Sequence, residues 1–339
     1  MLQAFANYPH LKDVIERCNQ VVVDTLKKNT IQEANIALES FGNGGKRLRP
    51  MLLILSSMVP DGSGFEAIDE SLIELAGAVE LVHLATLFHD DVIDGVDNRR
   101  TKVSARIKYG NYASILTGDF ALAEALAMVQ RSQHSATMPE FIRTLRVLVR
   151  GESLETAHKF DFGLSKAQYY DIISEKSASL FALSCKVGGM TRGFQYSDTL
   201  GHFGWSLGMA FQMIDDLDDM LSTPNHSNDC DLENGYICLP LIHLLDRLKD
   251  GHREHLVDII NNADFSPDNE RFIVSLCLEH DAISHTREEI HKHLVRARES
   301  IERFDPSEAR GLLERVVNGL DVYSENQVKN FSVFTRSAG

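Results

Sequence analysis

Two groups of aspartates end two apolar stretches of this 339-residue sequence. The first group, in HLATLFHDDVID, contains Asp90, Asp91 and Asp94. Steps of three and four residues place His83, Thr86, Asp90 and Asp94 on one helical stripe. Carboxylates at the C-terminal end of a helix oppose its macrodipole, so local helix stability does not explain them. A solvated acidic helix end is the alternative for one such cluster taken alone.

The second group repeats this design in GWSLGMAFQMIDDLDDM. Carboxylate clusters that face each other repel unless hard cations lie between them, and Mg²⁺ held by carboxylates and ligand phosphates fits. An EF-hand calcium loop is the competing interpretation, but neither cluster has its spacing or its glycine at the sixth position. One helical face is predicted to carry Gly204, Gly208, Gln212, either Asp215 or Asp216, and Asp219.

Positive charge suited to phosphate is concentrated at three places in an otherwise acidic chain. Glycines let backbone amides approach an anion, and arginine binds phosphate with two parallel hydrogen bonds. A basic turn or helix start is the alternative interpretation of the first place. The three places are GGKRLRP with Lys46, Arg47 and Arg49, the pair Arg99 and Arg100 after the first aspartates, and Lys176 in EKSASLF.

Helices must position these residues. From Glu66 to Asp94 the apolar residues recur at steps of three and four, and Gly95 stands where a C-cap glycine is expected. Similar patterns predict helices over 114–130, 138–159, 166–188, 198–220 and from 239 onward. Ser222–Gly235 is predicted as a loop. The sequence therefore predicts an all-α protein with one domain over residues 1–339 and a frayed tail over 328–339.

Composition excludes some functions. A net charge of −15 and a pI near 5.4 argue against nucleic-acid binding, which needs a basic surface. The five cysteines show no metal-site spacing, so we expect free thiols in a reducing compartment. No signal-like start and no run of about 18 apolar residues occurs, which predicts a cytoplasmic protein without a membrane span.

From about Leu38 to Pro240 the chain resembles the trans-isoprenyl diphosphate synthases, the polyprenyl synthetase family. GGKRLRP, DDVID, FQ and DDLDD carry the resemblance, in that order. It implies a single large helical bundle around a deep central cavity, the isoprenoid synthase fold, usually as a homodimer. It also implies an enzyme that condenses an allylic diphosphate with isopentenyl diphosphate into a medium- or long-chain all-trans polyprenyl diphosphate, with three Mg²⁺ ions per active site.

The resemblance assigns roles to single residues. Asp90, Asp91, Asp94, Asp215, Asp216, Asp219 and Lys176 match the catalytic positions, with Asp90, Asp94 and Asp215 as metal ligands. Lys46, Arg49, His83 and Arg100 match positions that bind isopentenyl diphosphate, while Arg99, Lys176, Ser177 and Gln212 surround the allylic substrate. Ser177 stands where a threonine is usual. Ala85 and Thr86 match the positions that limit chain length, and because both are small, a product of C30 or longer is expected.

The chain also departs from the family pattern. Two lysine positions near the allylic diphosphate fall on His226 and Tyr236, and Thr101 replaces a common glycine. Four interpretations follow: an elongating synthase, a family member turned terpene cyclase, a subunit that needs a partner chain, and a non-catalytic helical scaffold. Retention of the four isopentenyl diphosphate positions favours elongation, because a cyclase has no use for the second substrate.

Overall fold

The structure, a computed structural model, describes residues 8–99, 102–221, 232–249 and 251–337. These residues form fifteen α-helices and one two-stranded antiparallel hairpin, which confirms the all-α prediction. The helices are α1 Pro9–Lys27, α2 Gln32–Gly42, α3 Leu48–Met58, α4 Glu70–Ile93, α5 Ala105–Tyr109, α6 Asn111–Arg131, α7 Met138–Ala157, α8 Lys166–Ile173, α9 Ser179–Met190, α10 Ser197–Leu221, α11 Leu239–Leu245, α12 Gly251–Asn261, α13 Pro267–Glu279, α14 Ala282–Glu302 and α15 Glu308–Ser337. The strands are β1 Asn98–Arg99 and β2 Lys102–Val103.

The helices predicted from periodicity are present, with ends shifted by no more than about one turn. The predicted helix 166–188 is interrupted, because a π-helical turn, Ser174–Ala178, separates α8 from α9. Most of the predicted loop Ser222–Gly235 lies outside the described residues. α15 continues to Ser337, beyond residue 328, where the sequence pattern predicts a frayed tail.

The chain forms two compact units, each assembled from segments that are distant in sequence. Unit 1 contains 1–146, 180–204 and 298–316; unit 2 contains 147–179, 205–297 and 317–339. A single domain over residues 1–339 stays a prediction.

Unit 1 is organised around α4, which packs against α1, α3 and α6. Asp69 caps α4 by accepting the Leu72 N–H at 2.8 Å. Small residues permit the close packing: a Cβ on Gly77 would lie 2.9 Å from the Met128 side chain. Nearly every residue from Ser71 to Leu84 is buried, so the accessible positions of this helix are informative.

Unit 2 is organised around the π-helical turn and its neighbours. α8 begins with a capping box in which the Ser165 hydroxyl accepts the Gln168 N–H. It contacts α11, which in turn contacts α13. Trp205 in α10 donates its Nε1–H to the Ser174 hydroxyl at 2.8 Å, which fixes α10 against the π-helical turn.

Two described helices, α4 and α6, are long and apolar enough to cross a membrane by length and composition alone. Their most apolar windows are 72% and 44% buried. This is weak evidence for a span, because a core helix passes the same test. The absence of a membrane span therefore stays a prediction.

Candidate functional site

The acidic end of α4 is closed by main-chain bonds. Asp94 is the C-cap residue, and Gly95 follows with a left-handed φ of 70°. The Val96 N–H donates to the Asp91 carbonyl at 3.1 Å, which is the long bond of a Schellman motif. The predicted role of Gly95 as a cap is confirmed. The cap fixes where the aspartate side chains leave the helix.

The residues of the predicted stripe are partly accessible on α4. His83, Thr86, Asp90 and Asp94 are all half-buried, whereas Asp91 is turned inward with 4% exposure. Asp90 and Asp94 lie one turn apart, so two carboxylates share one accessible face. The stripe prediction is confirmed, and it separates Asp91 from the other two aspartates.

The two predicted chain-length residues differ in their surroundings. Thr86 is half-buried on the stripe and donates its hydroxyl to the His83 carbonyl at 2.9 Å. Ala85 has 0% exposure. Bulk added at residue 86 therefore projects along the accessible face that leads to Asp90, while bulk at residue 85 enters a filled interior.

Within the basic segment 44–50, Arg47 is a structural residue. Its guanidinium donates to Asn19 Oδ1, Glu80 Oε1 and the Phe41 carbonyl, each at 2.8 Å. Arg47 itself has a left-handed φ of 47°, and Glu80 is buried. The Arg47–Glu80 pair therefore anchors the segment, and sequence reasoning missed it because nothing in an apolar helix indicates the partner of Glu80.

The other basic residues of this segment face differently. Lys46 is exposed and Arg49 is half-buried, with its guanidinium carbon 4.6 Å from the centre of the Phe181 ring. Lys102, after the first aspartates, donates to Asn43 Oδ1 at 2.6 Å. Arg100 and the side chain of Arg99 lie outside the described residues. The substrate-binding roles of these arginines and of Lys46 stay predictions.

At the acidic end of α10, the structure distinguishes Asp215 from Asp216. Asp215 is exposed, whereas Asp216 is 9% exposed and accepts hydrogen bonds from Tyr169 at 2.5 Å and from Gln212 at 2.7 Å. Burial raises the pKa of Asp216 to about 6, against the opposing effect of those two donors. Asp215 and the half-buried Asp219 are therefore more accessible than Asp216 at this helix end.

A fourth acid of DDLDD has a separate task. Asp218 accepts hydrogen bonds from the Tyr323 hydroxyl at 2.9 Å and from Gln327, both in α15. Sequence reasoning missed Asp218 and Tyr169, because their partners lie far away along the chain. The end of α10 is thus fixed by α8 on one side and by α15 on another.

The π-helical turn holds two of the predicted allylic-substrate residues, Lys176 and Ser177. Such turns are frequent at functional sites. Ser177 donates its hydroxyl to Gln212 Oε1 at 2.6 Å, which extends the hydrogen bonds from Asp216 to the turn. Lys176 is ion-paired with Glu155 and, at 3.1 Å, with Glu152. The structure therefore brings together Ser177, Gln212 and Asp216.

Of the two positions where the resemblance places lysines that this chain lacks, the structure describes one. His226 lies outside the described residues. Tyr236 is half-buried, and its ring centre lies 5.7 Å from Lys176 Nζ. An aromatic face therefore contacts the predicted catalytic lysine at the position where the resemblance places a second lysine.

The donor chemistry of the two helix ends fits a hard divalent cation. Each end presents accessible carboxylate oxygens, which bind Mg²⁺ or Ca²⁺ together with phosphate oxygens. Among the described residues, no group of three or more His, Cys, Asp or Glu side chains is arranged to hold a metal alone. A diphosphate supplies further oxygens of the kind that such a cation binds.

Comparisons with known proteins agree with this chemistry. A sequence model of the Polyprenyl synthetase family matches residues 32–276. The chain is 33% identical over 241 residues to a nonaprenyl diphosphate synthase of Mycobacterium tuberculosis, covering 68% of this chain and 69% of that one. It is 30% identical over 244 residues to heptaprenyl diphosphate synthase component 2 of Bacillus subtilis, covering 70% and 68%.

A solved structure shares the fold. The polyprenyl synthase of Caulobacter crescentus, complexed with calcium and isoprenyl diphosphate, superposes with a TM-score of 0.83 at 27% identity. The match covers 92% of this chain and 97% of that one. The all-helical isoprenoid synthase fold predicted from the sequence is confirmed.

Proposed function

The chain belongs to the polyprenyl synthetase family, and we propose that it condenses an allylic diphosphate with isopentenyl diphosphate to form a medium- or long-chain all-trans polyprenyl diphosphate. It is an enzyme of the prenyl-transferring class. The observation that carries the proposal is the pair of helix ends, α4 and α10, whose accessible carboxylates fall on the family's two aspartate motifs.

The chain's own residues have distinct tasks in this reaction. Lys46, Arg49 and His83 hold the diphosphate of isopentenyl diphosphate, while Lys176, Ser177 and Gln212 contact that of the allylic substrate. The allylic carbon–oxygen bond breaks, and the diphosphate leaves with the electron pair. The double bond of isopentenyl diphosphate attacks the allylic carbocation, and released pyrophosphate takes the proton that is lost.

A divalent metal supports diphosphate binding in this family. We propose that Asp90, Asp94 and Asp215 are the carboxylates that would hold it as Mg²⁺, three ions per site. Bound Mg²⁺ would supply positive charge that offsets the negative charge developing on the departing diphosphate. Asp91 and Asp216 are buried, and the hydrogen bonds that Asp216 accepts from Tyr169 and Gln212 position the end of α10.

Product length is proposed to be long. The named relatives make heptaprenyl and nonaprenyl chains. Thr86, the half-buried residue one turn before Asp90, has a small side chain. A large side chain at this place would shorten the space for the growing chain.

A partner-dependent subunit is the second candidate. One relative, heptaprenyl diphosphate synthase component 2, is named as one component of its enzyme. In the present chain, Tyr236 stands where the resemblance places a lysine, which removes one positive charge.

A homodimer located in the cytoplasm is the assembly that we propose for the elongating enzyme.

The experiment is a product assay on the purified chain. Radiolabelled isopentenyl diphosphate and allylic primers of graded length are incubated with Mg²⁺ or with excess chelator, and the products are sized. An elongating synthase yields long prenyl chains only with Mg²⁺. A cyclase consumes the allylic diphosphate without incorporating label.

The remaining candidates separate in a thermal-unfolding measurement with Mg²⁺ and pyrophosphate. A ligand present at about 100 times its Kd stabilises a protein by about 2.7 kcal/mol. A partner-dependent subunit shows this stabilisation without turnover. A non-catalytic scaffold shows neither.

A further inference from the structure

A second lysine of unit 2 contacts the same aromatic ring as Lys176. Lys159, two residues beyond the end of α7, places its Nζ 4.4 Å from the centre of the Tyr236 ring. Lys176 Nζ lies 5.7 Å from that centre. Ammonium groups at these distances from an aromatic face are attracted by its quadrupole. The ring therefore gathers two positive charges at one place.

The main chain fixes this arrangement. The Phe160 N–H donates to the Gly235 carbonyl at 2.8 Å. Phe160 follows Lys159 and Gly235 precedes Tyr236, so this bond holds the two chain segments together. Gly235 has φ 79°, and a Cβ there would lie 2.5 Å from the Phe160 ring. Only glycine allows this contact, and it sets Lys159 beside Tyr236.

The charges around Lys176 favour a second lysine for binding an anion. Lys176 is already ion-paired with Glu152 and Glu155, so its positive charge is offset before any anion arrives. A diphosphate in this position would meet the ammonium group of Lys159 as well as that of Lys176. A second ammonium group reduces the repulsion that the two glutamates exert on an incoming diphosphate.

A series of contacts through Lys176 and Ser177 links the pair to the second aspartate motif. Ser177, next to Lys176, is hydrogen-bonded to Gln212, and Gln212 is hydrogen-bonded to Asp216. Lys159, Tyr236 and the end of α10 therefore belong to one connected set of contacts within unit 2.

We propose that Lys159 binds the diphosphate of the allylic substrate, supplying from the α7 side the positive charge that is absent at Tyr236, with the Tyr236 ring as its support. This rests on the proposed function. The ligand class is an organic diphosphate, and free pyrophosphate presents the same anionic oxygens.

The test compares Lys159→Gln, Lys159→Arg and a control, Lys249→Gln, which removes the charge of an exposed lysine in the same unit. Steady-state kinetics are measured against each substrate in turn. Lys159→Gln is expected to raise KM for the allylic diphosphate about tenfold or more and to leave KM for isopentenyl diphosphate within about twofold, the scale of one charge-assisted hydrogen bond. Lys159→Arg keeps the charge and is expected to stay within about threefold of the parent.

An unchanged allylic KM in Lys159→Gln overturns the proposal, as does an equal rise for both substrates. A purely structural cation–π contact would lower the melting temperature of Lys159→Gln without separating the two KM values. If the parent chain shows no turnover, the proposed function fails, and the binding proposal is then tested by thermal shift with geranyl diphosphate, pyrophosphate and phosphate. Loss of the geranyl diphosphate and pyrophosphate shifts in Lys159→Gln supports it, retention of both refutes it, and loss of the phosphate shift alone also refutes it.

Discussion

The acidic end of α4 in unit 1 is closed by main-chain bonds of its own helix cap, whereas the acidic end of α10 in unit 2 is tied to side chains from α8 and α15. In the first, Gly95 and the bond from Val96 to Asp91 complete the helix end. In the second, Tyr169 binds Asp216 and Tyr323 binds Asp218. Both ends nevertheless present accessible carboxylates. One chemical pattern, acids at the end of an apolar helix, is therefore built by local bonds in one unit and by contacts distant in sequence in the other.

The largest expected effect comes from removing an accessible carboxylate from either end. Asp90→Ala and Asp215→Ala are each expected to lower kcat by at least about a hundredfold, because each loses a transition-state electrostatic contact. Asp13→Ala and Asp258→Ala remove exposed aspartates elsewhere in the same units and serve as controls. Turnover of the four variants at saturating Mg²⁺ is the measurement. A variant at either helix end that keeps parental turnover would show that the two ends are not equivalent in function.

The contrast between local and distant contacts also explains which features of the two helix ends can be predicted from the sequence. The stripe on α4 and the cap at Gly95 were predictable because their signals lie within a few residues of one another. At α10 the sequence left Asp215 and Asp216 undecided, since the partner that buries Asp216 is Tyr169, in another helix. The Arg47–Glu80 pair was missed for the same reason. Local periodicity determines helices and faces, whereas side-chain partners depend on tertiary packing.

A second contrast between the two helices lies one turn before the accessible aspartate. In α4 this residue is Thr86, and in α10 it is the half-buried Phe211. Thr86→Phe gives α4 the bulk that α10 already has, and is expected to shorten the main product by at least about two isoprene units. Thr86→Val is the matched control, because it removes the hydroxyl bond to His83 without adding a ring.

Product sizes from both Thr86 variants, measured with one primer, give the answer. Equal lengths for parent and Thr86→Phe would mean that the chain-length limit lies elsewhere. The family resemblance predicts that Ala85 limits chain length as Thr86 does. Because Ala85 is fully buried, Ala85→Phe is expected instead to destabilise unit 1 by about 1–3 kcal/mol, which a thermal-unfolding measurement detects.

The distant contacts of α10 can be tested with two adjacent tyrosines. Tyr169→Phe removes a buried donor to Asp216, whereas Tyr170→Phe removes the bond to Glu289 at a half-buried position. Loss of a partner for a buried charged group costs about 1–3 kcal/mol, so Tyr169→Phe is expected to reduce the free energy of unfolding by that amount and Tyr170→Phe by less. Urea unfolding of both variants measures the difference. The reverse order would show that Asp216 does not depend on α8.

Unit 2 is also expected to lose stability in acid. Burial lowers the pKa of His243 and of His293 to about 4, and Nε2 of His243 and Nδ1 of His293 are buried without a hydrogen-bond partner in the described part of the chain. The Arg247 guanidinium and Lys166 add to the fall at His243.

The surroundings of His293 have the same effect. It packs its ring against Tyr170 and Trp205, and the positive charge of Arg296 adds to the fall in its pKa. Glu289 opposes the fall at both histidines without reversing it.

The sign of the pH effect follows from these directions. Below the unfolded pKa of about 6.5 the unfolded chain takes up protons that the folded chain does not, so stability falls as pH is lowered from about 6.5 towards 4. The variant His243→Gln/His293→Gln is expected to lose less stability over this range than the parent does. His202→Gln, an exposed histidine of unit 1, is the control and is expected to follow the parent. Melting temperatures at pH 7.5 and pH 5 are the measurement. If the parent and the double variant lose the same stability between pH 7.5 and pH 5, the acid sensitivity arises outside this histidine pair. The two helix ends would then not differ in pH response through His243 and His293.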